Sequence, residues 1–226
     1  MHKVGFIFDL DGVIVDTAKY HYLAWKKLAN ELGFEFTIEQ NELFKGVSRK
    51  RCLEILLKIG GIEATQEQFD QWMTEKNEDY LSYIEKMDES EILPDVTRIL
   101  KYLKAQNIPI ALGSASKNAK PILEKVKLLN YFDFIVDGNN VTKAKPDPEV
   151  FLIAAKKLDA KPENCVVFED ALAGIEAANN AKMTSIGIGD VKVLSNADFN
   201  FNDFTEIQVE FLDKLIKKLT VFGEKN

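Results

Sequence analysis

Val4-Gly5-Phe6-Ile7-Phe8-Asp9-Leu10-Asp11-Gly12 is the stretch whose reading decides the fold. An apolar run without polar interruption ends in two aspartates one residue apart. So short a continuous run reads as a strand buried on both faces, and such strands belong to parallel sheets flanked by helices. Ligands of these sheets gather at the carboxyl ends of the strands, where Asp9 and Asp11 stand. Residues two apart on extended backbone face the same side, so the carboxylates can converge. Gly12 lets the chain turn sharply behind them. Two anions in one small volume favour a hard divalent cation with oxygen ligands. The tetrapeptide alone leaves other readings open. Asp and Gly also serve simply to end a strand in a turn. An EF-hand loop would need a further Asp or Asn before the glycine and a late Glu, and neither is present.

Working outward, residues from about 17 to 90 carry only helical signals. Thr17 is the expected cap of a helix running to about Leu32, with Thr17, His21 and Trp25 on one face. Thr37 to Gln40 and Thr65 to Gln68 match capping boxes, the second opening a long helix to about Met87. Ser48 caps a helix whose apolar face is Leu53, Leu56 and Leu57. After Leu93-Pro94 the pattern alternates. Helices are predicted over 95–106, 117–128, 148–158, 171–181 and 207–219, with Asp147 capping the third and Pro148 at its first position. Strands are predicted over 108–112, 134–136, 165–168 and 184–188, with an edge strand at 199–201. The fold class is therefore α/β, a doubly wound parallel sheet. Val4 to Phe8 cannot form a sheet alone and must pair with strands far downstream. The helical block is then an insertion: residues 1–16 and 93–226 form the core, and residues 17–92 form an all-helical cap rooted beside the aspartates, where it can cover them.

Composition narrows the function class. The 226 residues are 46% hydrophobic and 29% charged, ordinary values for a globular protein. A net charge of -7 disfavours non-specific nucleic-acid binding. The two cysteines, Cys52 and Cys165, have no metal-type spacing and point to a reducing, cytoplasmic setting. No apolar run reaches membrane-spanning length, and Asp9 and Asp11 break any signal-peptide pattern. Asn140-Val141-Thr142 is a chance match to a glycosylation acceptor in such a setting.

Four groups fall at expected strand ends and so should face one crevice. They are Asp9 with Asp11; Ser114-Ala115-Ser116-Lys117-Asn118; Lys145-Pro146; and Glu169-Asp170. Hydroxyls and free amides at a helix start suit an anion such as phosphate. A cation site beside a phosphate cradle implies phosphoryl transfer, in which positioning and charge neutralisation supply most of the catalysis. Each group also has a plain structural reading. Ser116 can be only a helix cap, Lys145 only a solvated charge, Glu169-Asp170 only a cap for the next helix, and His21 and Trp25 only packing residues. Their joint occurrence, in order, favours function.

That ordered set, with Asp9-Leu10-Asp11-Gly12-Val13 at its head, resembles the haloacid dehalogenase superfamily over essentially the whole chain. The helical insertion resembles that superfamily's small cap. Within the superfamily the chain is most similar to the β-phosphoglucomutases, through Thr17, His21 and Trp25, then Lys45-Gly46-Val47-Ser48-Arg49, Lys76-Asn77 and the Ser114 to Asn118 segment. The resemblance implies Asp9 as nucleophile through an aspartyl phosphate and Asp11 as general acid and base. It implies Mg2+ held by Asp9, the backbone carbonyl of Asp11 and Asp170, with Glu169 beside it. Ser114 and Lys145 would bind the transferring phosphate. Arg49 in the cap would grip the other phosphate, with Ser116, Lys117 and Asn118 on the core side. The implied reaction interconverts β-glucose 1-phosphate and glucose 6-phosphate through β-glucose 1,6-bisphosphate. The implied partners are small sugar phosphates, with neither nucleic acid nor membrane, and the implied state is a monomer. Cys52 and Gly113 depart from the family pattern, outside the core chemistry. The rival readings are a sugar-phosphate phosphatase of the same superfamily and a non-catalytic phosphate-binding protein.

Overall fold

The computed structural model describes residues 3–44 and 47–222, without the side chains of 221 and 222. The chain opens with β1 (Lys3–Phe8) and then runs through four helices: α1 (Ala18–Glu31), α2 (Ile38–Asn41), α3 (Arg49–Gly60) and α4 (Gln66–Ile84). Alternation follows, as α5 (Val96–Ala105), β2 (Ile110–Gly113), α6 (Ala119–Lys125), β3 (Phe134–Val136), α7 (Glu149–Lys157), β4 (Ala160–Glu169), α8 (Leu172–Asn180), β5 (Thr184–Ile188), β6 (Phe199–Phe201) and α9 (Val209–Phe222). The six strands form one parallel sheet in the order β3-β2-β1-β4-β5-β6. β1 pairs with β2 on one side, Ile7 opposite Ala111, and with β4 on the other, Ile7 opposite Val167.

The reversal of winding falls between β1 and β4, and a crevice opens at such a point because the loops diverge to opposite faces. Alternating side chains of β1 feed two cores. Phe6 and Phe8 pack with Phe168, Phe204 and the apolar faces of α5 and α9, while Ile7 packs with Val167 and helices α7 and α8. Both faces are thus covered, which is why β1 reads as an unbroken apolar run. The inserted helices have a third core of their own, built on Trp25, Leu28, Phe36, Leu53 and Leu56. The two crossings between this block and the sheet run side by side: the Asp16 N–H donates to the Glu91 carbonyl at 2.9 Å and the Leu93 N–H to the Ile14 carbonyl at 3.0 Å.

Both capping boxes form as the spacing predicts, and the Ser48 hydroxyl accepts from the Arg51 N–H. Other local expectations are corrected. Thr17 makes no side-chain cap; its hydroxyl is drawn off to Asp11. Pro148, not Asp147, is the N-cap of α7, and Asp147 accepts from the Glu149 N–H one turn step later. α4 ends at Ile84 and not at Met87. α6 is shorter than 117–128, because Ser116 and Lys117 belong to the turn that shapes the site. β4 begins five residues early, at Ala160, where its pairing with β1 shifts register between Lys3 and Gly5.

Candidate active site

Each functional candidate leaves the sheet at a strand end. Asp9 follows β1, and its N–H donates to the Phe168 carbonyl of β4 at 3.0 Å, which locks the two strand ends together. Gly12 then turns with φ +79°, and a Cβ there would lie 2.1 Å from Asp170 Oδ2. Only glycine admits so close an approach, so the turn after β1 and the loop after β4 meet. Carboxylate oxygens of Asp9, Glu169 and Asp170 all lie within 4.8 Å of one another. Their hard oxygen chemistry, burial and mutual proximity fit a divalent cation. The Asp11 carboxylate is not in this cluster, so in the expected ligand set it would contribute through its backbone carbonyl.

Lys145 reaches up from below. Its Nζ donates to Asp9 Oδ1 and, at 3.0 Å, to Glu169 Oε1, with all three side chains buried. Burial would depress its ammonium, but Asp9 and Glu169 offset this and hold it above the ordinary lysine value. Burial pushes Glu169 up to about 7 against the pull of Lys145. Glu169 Oε2 accepts from the Asp170 N–H at 3.0 Å, and Gly174 of α8 is the residue that makes room for it: a Cβ there would sit 1.6 Å from Glu169 Oε1. Both Glu169 oxygens are therefore engaged in fixing Lys145 and the Asp170 backbone.

Asp11 points the other way, toward the inserted helices. It accepts from the Thr17 hydroxyl, and His21 Nε2 lies 3.8 Å from Oδ1. Burial, then the neighbouring Asp9, raise its carboxyl to about 6. His21 is driven well below the usual histidine value by burial and by Lys76 and Arg49, so it faces Asp11 as a neutral ring. Its Nδ1 lies 2.9 Å from Lys76 Nζ. Lys76 is only 1% exposed, with its Nζ 4.6 Å from the Trp25 ring centroid; burial and Arg49 lower it to about 7. Trp25 packs edge-on to Phe44 and also borders the cavity.

The phosphate-loop candidates follow β2. Ser114 Oγ accepts from the Ser116 N–H at 3.0 Å, and Ser116 Oγ from the Asn118 N–H at 3.2 Å. Asn118 Nδ2 donates to Asn77 Oδ1 of α4 at 3.2 Å, a direct bridge from sheet side to helical block. A cavity of about 360 Å³ joins these parts. Asp9, Asp11, Glu169 and Asp170 line its floor; Ser114, Ala115, Ser116 and Lys117 its side; His21, Trp25, Val47, Ser48, Arg49 and Lys76 its roof. Thr17, Asn118 and Lys145 stand one layer behind the lining. Lys45 and Gly46 lie outside the described residues. Sequence reasoning missed Asn41, Phe44, Met73 and the stretch from Val141 to Ala144, all of which also line the cavity. None belongs to a motif that bears on the site, Val141 and Thr142 falling only in the chance glycosylation match; nearness in sequence to Lys145 could have marked that last stretch.

The family model of the haloacid dehalogenase-like hydrolases matches residues 4–182, which spans all four groups. The chain belongs to that family. Among haloacid dehalogenase-like proteins it is 42% identical over 208 residues to a β-phosphoglucomutase of Bacillus subtilis, covering 91% of this chain and 92% of that one. It is 32% identical to a phosphorylated carbohydrates phosphatase of Thermotoga maritima, over 80% of this chain and 82% of the other. The crystal structure of a β-phosphoglucomutase from Clostridium difficile superposes with a TM-score of 0.91 at 39% identity, covering 97% and 99% of the two chains. Among the described residues no helix is long and apolar enough to cross a membrane.

Proposed function

We propose that this haloacid dehalogenase-like enzyme is a β-phosphoglucomutase, interconverting β-glucose 1-phosphate and glucose 6-phosphate through β-glucose 1,6-bisphosphate, with residues 17–92 as cap and residues 1–16 and 93–226 as core. The observation that carries the reading is a single cavity with a phosphoryl-transfer pole and a separate cationic pole. Asp9, backed by Lys145, lies in its floor, and Arg49, Lys76 and Lys117 line its roof and side. A monophosphate phosphatase needs the first pole alone; a bisphosphate that must bind either way round uses both. The likeness to the Bacillus subtilis mutase supports the same choice.

Asp9, with its orientation fixed by Lys145, attacks phosphorus and takes the phosphoryl group as an acyl phosphate, while the departing sugar oxygen receives the Asp11 proton. In the return step the Asp11 carboxylate accepts the proton of the incoming sugar hydroxyl as its oxygen attacks that acyl phosphate, and the Asp9 carboxylate is restored. Ser114 and Lys145 hold the transferring group; Arg49, with Ser116, Lys117 and Asn118, holds the distal phosphate. Asp9, Asp170 and the Asp11 carbonyl would hold Mg2+, which neutralises phosphoryl charge when bound. Lys45, Gly46, Val47 and Ser48 would shape the roof over the sugar.

The test incubates the protein with β-glucose 1-phosphate, Mg2+ and a trace of β-glucose 1,6-bisphosphate. Glucose 6-phosphate as the main product is expected. Inorganic phosphate in its place assigns the chain to the sugar-phosphate phosphatases, and no product of either kind leaves a phosphate-binding protein.

A further inference from the structure

Tyr80 has no part in the chemistry above, yet it backs the whole Asp11 side of the site. It lies on α4 one turn after Lys76 and is fully buried. Its ring stacks on His21, with centroids 4.1 Å apart and planes 16° from parallel, and Lys76 Nζ lies 4.9 Å from the same centroid. Phenylalanine would supply both of these contacts. What phenylalanine lacks is the hydroxyl, and that hydroxyl is buried without a hydrogen-bond partner among the described residues, an uncommon state for a buried tyrosine. His21 lies one turn after Thr17 on α1, so the stack brings Tyr80 to the Thr17 side of the site; burial and the Asp11 charge keep the phenol protonated, so it retains a proton to donate.

Thr17 completes the logic. Its single hydroxyl proton goes to Asp11, so its oxygen presents only lone pairs to the rest of its surroundings. The unpartnered Tyr80 donor and the Thr17 lone pairs are complementary groups on neighbouring helices. Thr17 begins α1 and Tyr80 belongs to α4, which pack on each other along their length. Both helices lie in the block that would close over the substrate.

Resting on the mutase reading, we propose that Tyr80 is a positioning residue for Asp11: as the cap seats on substrate, the Tyr80 hydroxyl donates to Thr17, and the resulting Tyr80–Thr17–Asp11 relay, with His21 clamped between Tyr80 and Asp11, fixes the acid–base carboxyl against the sugar oxygen. Bonds in such a chain polarise and stiffen one another. The relay also makes assembly of the acid–base group conditional on cap position.

The test compares wild type and Tyr80→Phe, full chain with Mg2+, on β-glucose 1-phosphate. The variant keeps the ring and loses one oxygen. The expected result is a kcat about tenfold lower, KM within about twofold, and an unchanged or higher Tm. In a Thr17→Val background, where the relay has no middle member, Tyr80→Phe should cost nothing more. Wild-type kcat in Tyr80→Phe overturns the proposal. So does a loss that multiplies undiminished onto Thr17→Val, or one that comes with a lowered Tm and so reports packing. Should Thr17→Val be too slow to assay, the kcat, KM and Tm of Tyr80→Phe decide. Should wild type release mainly inorganic phosphate, the mutase reading fails by itself, and the same comparison is made on phosphate release, which draws on the same Asp11.

Discussion

Lys145 shows how one residue can hold a site together. Its ammonium is enclosed between two buried carboxylates, and removing it strands Asp9 and Glu169 as neighbouring anions. Lys145→Met should lower stability by about 3 kcal/mol at pH 7. Without the cation Glu169 rises above the value of about 7 that it holds beside Lys145, so the folded variant gains more than wild type does as pH falls. The deficit relative to wild type should shrink from pH 7 toward pH 5. Urea titrations at both pH values check this, and an equal deficit at each would contradict the assignment. Gly174 gives a sharper case. Gly174→Ala sets a methyl against Glu169 and should cost about 2–4 kcal/mol together with most activity, whereas Gly61→Ala, where a Cβ meets nothing, should cost only the strain of its left-handed backbone.

Helix α4 separates stability from function along its own length. Thr65 closes a capping box at its start, and Thr65→Ala should lose about 1 kcal/mol by chemical denaturation with kcat unchanged. Three turns on, Lys76 is buried with no carboxylate in ion-pair range among the described residues, which opposes folding. Its value of about 7 lies below that of the unfolded chain, so between pH 7 and 10.5 the unfolded state carries the extra proton and wild-type stability rises with pH from this group. Lys76→Met should therefore stabilise the protein by about 2 kcal/mol at pH 7, a gain that fades toward pH 10, while impairing turnover. A stabilised variant of full activity would remove Lys76 from the substrate site.

For the molecule as a whole, the question is how two packed bodies share one cavity. They are joined by paired crossings near Asp16 and Leu93 and bridged behind the cavity lining by Asn77 and Asn118. On the mutase reading, excluding water matters because an acyl phosphate on Asp9 would react with any hydroxyl that reaches it. Asn77→Ala removes the bridge without touching Asp9 or Asp11. The share of substrate lost as inorganic phosphate should then rise several-fold over wild type while the fold is retained; an unchanged product ratio would show that the bridge does not hold the cap.

Local rules read from the chain were sufficient for the strand-end aspartates, both capping boxes, the three exact strands at 134–136, 184–188 and 199–201, and the helical insertion, because periodicity and capping depend on near neighbours. They failed at Thr17, where Asp11 outcompeted the cap, and at the start of α6, where Ser116 and Lys117 form a turn in place of a first helical turn. They were also silent about Asn41, Met73 and Tyr80, whose side chains say nothing until another element arrives. The amino-acid order alone determined which groups stand at the ends of strands. Tertiary structure alone brought Lys145 to Asp9 across 136 residues, turned Asp11 away from the other three carboxylates, and gave each its partner. The reason is physical: helix and strand signals are written within a few residues, whereas charge pairing and burial depend on distances that only the folded sheet defines.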